Sequence, residues 1–248
     1  MSEEAHLFIT AEGEYLAGQA LADAIKRHGV IRFNGLRAAH TSWIPDLRNA
    51  DLTAPGAAQP KRGLEGKMLG DPSAWRPPTD SAWPQEARYA NFSDANLQGA
   101  NLSALDLSGA NLSGARLAGA LLGGAQLRRT DLSEADLHHA DLRRADLFEA
   151  NLAGANLGEA SLEGASMVGA KVSADALSEA TLDATTLLPD GLAYGAPESP
   201  WTVRIDAIRE AAVKAVPEAA VAAEVMPAEA APSFFARLWG KIKAWFGR

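Results

Sequence analysis

The chain has no cysteine. Disulfides, thiolate nucleophiles and Cys-ligated zinc or iron–sulfur centres are therefore excluded. Aromatic residues make up only 6% of it, so small and aliphatic side chains must fill most of the interior. No apolar run reaches the roughly 18 residues that a membrane-crossing helix needs. The start, "MSEEAHLFIT", lacks a basic region followed by an apolar stretch. That predicts no secretory signal and a cytoplasmic protein. Basic charge is also in short supply: 23 Lys and Arg against 31 Asp and Glu leave −8 at pH 7. Direct nucleic-acid binding, which needs a basic stripe to neutralise phosphates, is not expected. An acidic surface would instead attract a basic partner.

What the chain has is a repeat. In "ADLHHADLRRADLFEANLAGANL" (Ala135 to Leu157), Ala-Asp/Asn-Leu returns every five residues, a period that fits neither helix nor strand. Framed from Ala90 to Pro189, the chain divides into 20 units. The central residue is Leu in 17, with Phe92, Met167 and Val172 in the others. The residue two before it is Ala in 16, the exceptions being Leu105, Thr130, Asp175 and Thr185. Asn or Asp favours the slot between, and Ser, Gly, Arg and Glu crowd the last two.

This pattern closely resembles the pentapeptide-repeat family, whose motif is A(D/N)Lxx, over residues 90–189. The resemblance implies an all-β solenoid, a right-handed β-helix of square cross-section with one pentapeptide on each of four sides. Central residues and those two before them would point inward. About five to six coils are implied, with capping α-helices at the ends. Each buried Leu would contribute about 1.5–3 kcal/mol, and five coils stacked at strand spacing would make a rod of about 24 Å.

Stacking aligns residues 20 apart. Asn91, Asn111, Asp131 and Asn151 form one ladder, and Ser93, Ser113 and Ser133 another. The variable slots hold cationic doublets, and adding 20 places Arg129 over Glu149, His139 over Glu159, Arg143 over Glu163 and Arg128 over Phe148. Stacked surface pairs of about 0–1 kcal/mol explain most of them. His138, Arg143 and Arg144 remain candidates for a partner-binding patch. No metal is expected at His138-His139, because adjacent residues on a coil are not expected to converge on one ion. Asp175 falls in an inward slot, where an ionised carboxylate is costly unless paired, so the coil should bulge or fray there, or Asp175 should turn to a polar group.

Outside the repeat, residues 1–29 read as an N-terminal capping helix region, with Leu16, Ala20, Leu21, Ala24 and Ile25 at helical spacing and Gly29 as its stop. Residues 30–54 read as a degenerate first coil, with Ile31 and Phe33 inward, Gly35 at a corner, and Leu47, Ala50 and Leu52 in the repeat frame. Residues 55–89 form a Pro/Trp-rich loop or linker whose Trp75 and Trp83 are candidate partner contacts. Residues 190–216 give a capping or dimerisation helix with Trp201, Ile205, Ile208, Ala212 and Val216 on one face, and residues 217–232 an Ala/Pro/Glu linker.

Residues 233–248, "SFFARLWGKIKAWFGR", predict a basic amphipathic helix. Phe234, Phe235, Leu238, Trp239, Ile242, Trp245 and Phe246 fall within an arc of about 140° at helical spacing. Arg237, Lys241, Lys243 and Arg248 lie outside it, and the stretch has no acid. Such helices suit an anionic membrane surface, and docking on the protein, a twin copy or another protein would also cover the apolar face.

No catalytic constellation emerges. "LGGA" at 122–125 sits inside the repeat rather than forming a phosphate loop, and the recurring carboxylates belong to the motif. Neither an enzyme nor a cofactor is expected. The expected function is a scaffold or protein-interaction module tethered to the cytoplasmic membrane face, its partner another protein, with a homodimer through the C-terminal helix as a further option. The family resemblance implies an alternative: some members, of the quinolone-resistance type, bind DNA gyrase as acidic rods resembling duplex DNA. Residues 90–189 carry 13 acids and 6 bases, which leans that way.

Overall fold

A computed structural model describes residues 5–10, 14–28, 30–53, 61–62, 68–69 and 87–214. From Asn91 the chain winds into coils of 20 residues. Asn91 pairs with Asn111, Asn111 with Asp131 and Asp131 with Asn151, all parallel, and equivalent series run down the other three sides. Each contact is a single-residue bridge, because a turn every five residues leaves no room for a longer strand.

The turn chemistry accounts for the motif. The central residue's carbonyl accepts from the N–H three residues on, as Phe92 O does from Ala95 at 3.0 Å. The second residue between them takes positive φ, as in a type II turn. Glycine fills that slot at Gly114 (φ 65°) and Gly124 (φ 66°), but Arg129 (φ 56°), His139 (φ 57°) and Arg144 (φ 57°) also adopt the conformation, which disfavours side chains. The Asn/Asp slot closes an Asx turn: Asn111 Oδ1 accepts from Ser113 N–H at 3.0 Å and Asp131 Oδ1 from Ser133 N–H at 3.1 Å. The serine hydroxyls donate to the same Asn and Asp oxygens, at 2.8 and 2.7 Å, so each Ser bonds within its own pentapeptide.

Ala and Leu of the inward slots form one continuous core, with Leu97, Leu117, Leu137 and Leu157 stacked in it along one side. Two exceptions to Ala fit without disturbance. Leu105 is buried, and Thr130 is buried with its hydroxyl donating to Leu107 O at 2.7 Å.

The N-terminal part departs from the sequence expectation. Helix α1 (Gly18–His28) is followed by helix α2 (Val30–Ala39), so residues 30–39 are not coil. Ile31, expected inward, is 82% exposed, while Val30, Phe33 and Leu36 are buried at helical spacing. Phe33 reaches the end of the rod, its ring 5.5 Å from Phe92. The frame expected for Leu47, Ala50 and Leu52 does hold: Asp46 bridges Asn96 and Asp51 bridges Asn101, an offset of 50 instead of 20. Between these two stretches lies a short antiparallel pairing of β1 (Lys61–Arg62) with β2 (Met68–Leu69).

At the other end the repeat breaks where Asp175 was expected to disturb it. Ser173 caps a short helix, α3 (Ala174–Ser178), its hydroxyl accepting from Ala176 N–H at 3.1 Å. Asp175 lies exposed in the first turn of that helix. The frame then slips by one residue, since Thr181 still bridges Ser161 but Ser166 bridges Leu187. In consequence Thr186 takes the inward slot, donating to Leu162 O at 3.0 Å, and Leu188 is buried in place of Leu187. Helix α4 (Pro200–Lys214) packs beside α3. Its Ile205 is buried, Trp201 and Ile208 are half-buried, and Ala212 is exposed. Arg209 donates to the carbonyls of Ser178 (3.0 Å) and Ala180 (2.7 Å) and to the Tyr194 hydroxyl at 2.6 Å, while Tyr194 donates to Asp206 at 2.7 Å.

Candidate functional site

The doublets occupy the two turn slots that follow a central Leu. Both therefore face outward, and a partner coil lies 20 residues on. Arg129 Nε meets Glu149 Oε2 at 2.6 Å and His139 Nδ1 meets Glu159 Oε2 at 3.2 Å, as the stacking requires. Arg128 lies 4.6 Å from the Phe148 ring centroid and also pairs with Asp146 at 2.9 Å.

Arg143 corrects the expected pairing with Glu163. It forks onto Asp141, two residues back in its own pentapeptide, with Nε at 2.9 Å and the second nitrogen at 2.8 Å. A bidentate fork at this range outcompetes a partner one coil away. The bond to Asp141 pushes the Arg143 guanidinium above its ordinary value. Glu163 is left with one carboxylate oxygen buried and without a hydrogen bond. Burial raises its carboxyl above the usual range; Arg143 pulls the other way, while Asp183 and Asp141 add to the rise.

His138 and His139 also correct the sequence reading. Their ring centroids lie 3.9 Å apart. One donor atom each from His138, His139 and Glu159 falls within 4.8 Å of the others, a grouping able to hold a metal ion. Adjacent residues do converge here. The left-handed φ of His139 folds the turn back, and Gly158, one coil below His138, leaves room for its ring. A Cβ on Gly158 would lie 2.8 Å from His138 Nδ1. The signal was present in the sequence: adding 20 to His138 gives a glycine, and adding 20 to His139 gives a glutamate.

A hollow of about 330 Å³ opens where α2 meets the rod, lined by Arg37, Thr41, Ser42, Ile44, Asp94, Gly114 and Arg116. Arg37 is only 7% exposed. It donates to Trp43 O, to Ser93 O at 2.7 Å and to Ser93 Oγ at 3.0 Å. Burial draws its guanidinium below the ordinary value, against the opposing charge of Asp94. Sequence reasoning missed this junction because it took residues 30–39 for a coil.

Arg144 sits in a left-handed turn slot beside Gly164, its Cγ 3.3 Å from where a Cβ there would lie. Trp75, Trp83 and the tail contacts Phe234, Phe235, Arg237, Leu238, Trp239, Lys241, Ile242, Lys243, Trp245 and Phe246 lie outside the described residues. Among the described residues, no helix is long and apolar enough to cross a membrane.

A family model described as pentapeptide repeats matches in eight copies, over residues 87–114, 110–147 and 145–182. No curated protein matches the chain. Among solved structures, the chain is similar to alr5209, a pentapeptide repeat protein from Nostoc Pcc 7120, with 44% identity, 31% of this chain and 72% of that one covered, and a TM-score of 0.26. It is similar to Rfr23 from the cyanobacterium Cyanothece 51142, with 36% identity, coverage of 37% and 63%, and a TM-score of 0.22. A third likeness is to HetL of Nostoc sp. strain PCC 7120, a protein involved in heterocyst differentiation regulation, with 30% identity, coverage of 61% and 67%, and a TM-score of 0.21.

Proposed function

The chain belongs to the pentapeptide-repeat family, and on that premise we propose that it is a non-enzymatic interaction scaffold held on the cytoplasmic face of a membrane. The observation that carries this reading is the division of labour within each pentapeptide. Two slots are closed in the core and set the rod; the Asn/Asp slot closes the turn, and the two turn slots after the central residue mostly face outward and carry the variable side chains. Surfaces of this kind are suited to binding another protein. In this reading the rod is right-handed, α1 and α2 close one end and α3 with α4 close the other, which protects the unpaired edges. A homodimer through α4 is the competing use of that helix.

The tether is residues 233–248. At helical spacing its seven large apolar residues would share one arc, with four cations outside it, and the stretch has no acid. Left in water, such an arc would be an apolar patch that soluble monomers avoid. Anionic lipid offers both a burial site and opposite charge. Flotation with phosphatidylcholine vesicles, with and without phosphatidylserine, tests this. The full chain should float with the anionic vesicles, less so as salt rises, and deletion of 233–248 should abolish it. Equal flotation of the two forms would overturn the tether.

One observation favours a second reading. The 13 acids and 6 bases of residues 90–189 leave a net negative rod, as a mimic of duplex DNA bound to gyrase would require. Against it, Arg128, Arg129 and Arg143 neutralise acids at mid-rod. Protection of gyrase supercoiling by the purified chain would support this reading, and no effect at excess chain would reject it.

A further inference from the structure

We propose that His138, His139 and Glu159 form a binding site for one divalent transition-metal cation of the zinc class. Two imidazoles and a carboxylate are the donor set for such an ion, whereas magnesium and calcium call for oxygen ligands. The three donor atoms already lie within 4.8 Å of one another. A tetrahedral zinc site with bonds of about 2.0–2.2 Å needs donors roughly 3.3–3.6 Å apart. His139 Nδ1 and Glu159 Oε2, at 3.2 Å, stand close to that edge. Closing the third vertex requires His138, whose ring centroid lies 3.9 Å from that of His139, to turn its donor toward the other two.

The frame around these donors is fixed by backbone. Leu137 N–H donates to Asn156 O and His139 N–H to Gly158 O, both at 2.9 Å, so the histidines and the glutamate are held across two stacked coils. The missing side chain of Gly158 makes a notch. The point a Cβ would occupy lies 2.8 Å from His138 Nδ1, 3.1 Å from Asn156 Oδ1 and 3.4 Å from Glu179 Oε2. Asn156 Oδ1 already accepts from Gly158 N–H at 3.0 Å, which fixes the backbone at the notch. Three protein ligands leave a fourth position for water or for a donor from a partner. A cation here would also pin adjacent coils together, since it binds an arrangement that the unfolded chain lacks.

The test is calorimetric titration of the full chain with Zn²⁺, paired with visible absorption of the Co²⁺ form. One cation per chain is expected, with a tetrahedral Co²⁺ spectrum, a raised melting temperature in Zn²⁺ and no response to Mg²⁺ or Ca²⁺. His138→Ala, His139→Asn and Glu159→Gln should each weaken binding by about tenfold or more. Asn is used at position 139 because it tolerates the left-handed backbone. Gly158→Ala should weaken binding by crowding His138, while His40→Ala, on the N-terminal part, should not. Circular dichroism checks that each variant is folded. Wild-type affinity in all three ligand variants, or no binding at millimolar Zn²⁺, would overturn the proposal.

Discussion

From Asn91 to Ala150 every bridge residue pairs with its neighbour 20 places on, whereas the coil that begins at Lys171 keeps that register on only two sides. Lys171 and Thr181 hold it, α3 replaces a third side, and the fourth slips by one residue at Leu187. Both regions are written in the same motif. What separates them is the residue two before the centre. Thr130 keeps the frame because its hydroxyl finds Leu107 O without leaving the core. Asp175 would bring a charge into the same kind of slot, and the chain abandons the side to keep it in water. Thr185 does not enter its expected slot either: it bonds Asp183 outside while Thr186 goes in. The frame is therefore held by what the core can absorb, and a polar group that finds a carbonyl counts as absorbable.

Leu142→Asp should sharpen this contrast most. It puts a carboxylate among fully buried Leu and Ala side chains, a cost of about 4 kcal/mol or more. The half-buried Leu182 of the last coil, changed to Asp, should lower the melting temperature by less than half as much. Equal drops would erase the distinction between regular and terminal coils.

Next in size is the network that holds α4. Tyr194→Phe leaves Asp206 and Arg209 without the phenol, at about 1–3 kcal/mol, read as faster amide exchange over residues 200–214 with the repeat unaffected. Burial first, and the hydrogen bond to Asp206 second, push Tyr194 up to about 12. The folded state then holds this proton more tightly than the unfolded state does. Its contribution is fully present below the ordinary tyrosine value and is lost as pH climbs to about 12. The Phe variant should lack that alkaline step.

A smaller effect is expected at Glu163, whose raised carboxyl value makes ionisation unfavourable in the fold. Its contribution is present in acid and is lost as pH rises past the ordinary glutamate value and through the higher folded value. Glu163→Gln should flatten that loss and make the protein slightly more stable at neutral pH in thermal melts. Lower stability of the variant at neutral pH would mean that the carboxylate has a partner. Smallest of all, Arg144→Ala in its outward turn slot should change stability by no more than about 0.5 kcal/mol.

The rod was legible because its information is local and periodic. Ala and Leu at fixed spacing place the core, and adding 20 to a residue number places its stacked neighbour, which is how Arg129–Glu149 and His139–Glu159 could be read in advance. Less legible was anything decided by competition. Arg143 had two acids within reach and took the one in its own pentapeptide. Residues 30–39 contain apolar alternation that suits a coil, but Val30, Phe33 and Leu36 also fit a helix, and burial against Phe92 selected the helix. The convergence of His138 and His139 depended on a left-handed turn at a non-glycine residue, which sequence preferences argue against.

The offset of 50 between Asp46 and Asn96 bears on the order in which the molecule assembles. Residues 46–52 leave the ribosome first, yet their partners at 96–101 are also the seam onto which residues 116–121 pair. The growing rod can form from its middle outward, with the N-terminal part joining a surface that already exists. Closing a 50-residue loop instead of a 20-residue one adds only about 0.8 kcal/mol of chain entropy. The extra 30 residues, six pentapeptides' worth, leave the register on either side unchanged, since both bridges carry the same offset. By the same arithmetic, lengthening the chain between residues 53 and 87 should cost little while the coils on either side continue to count in fives.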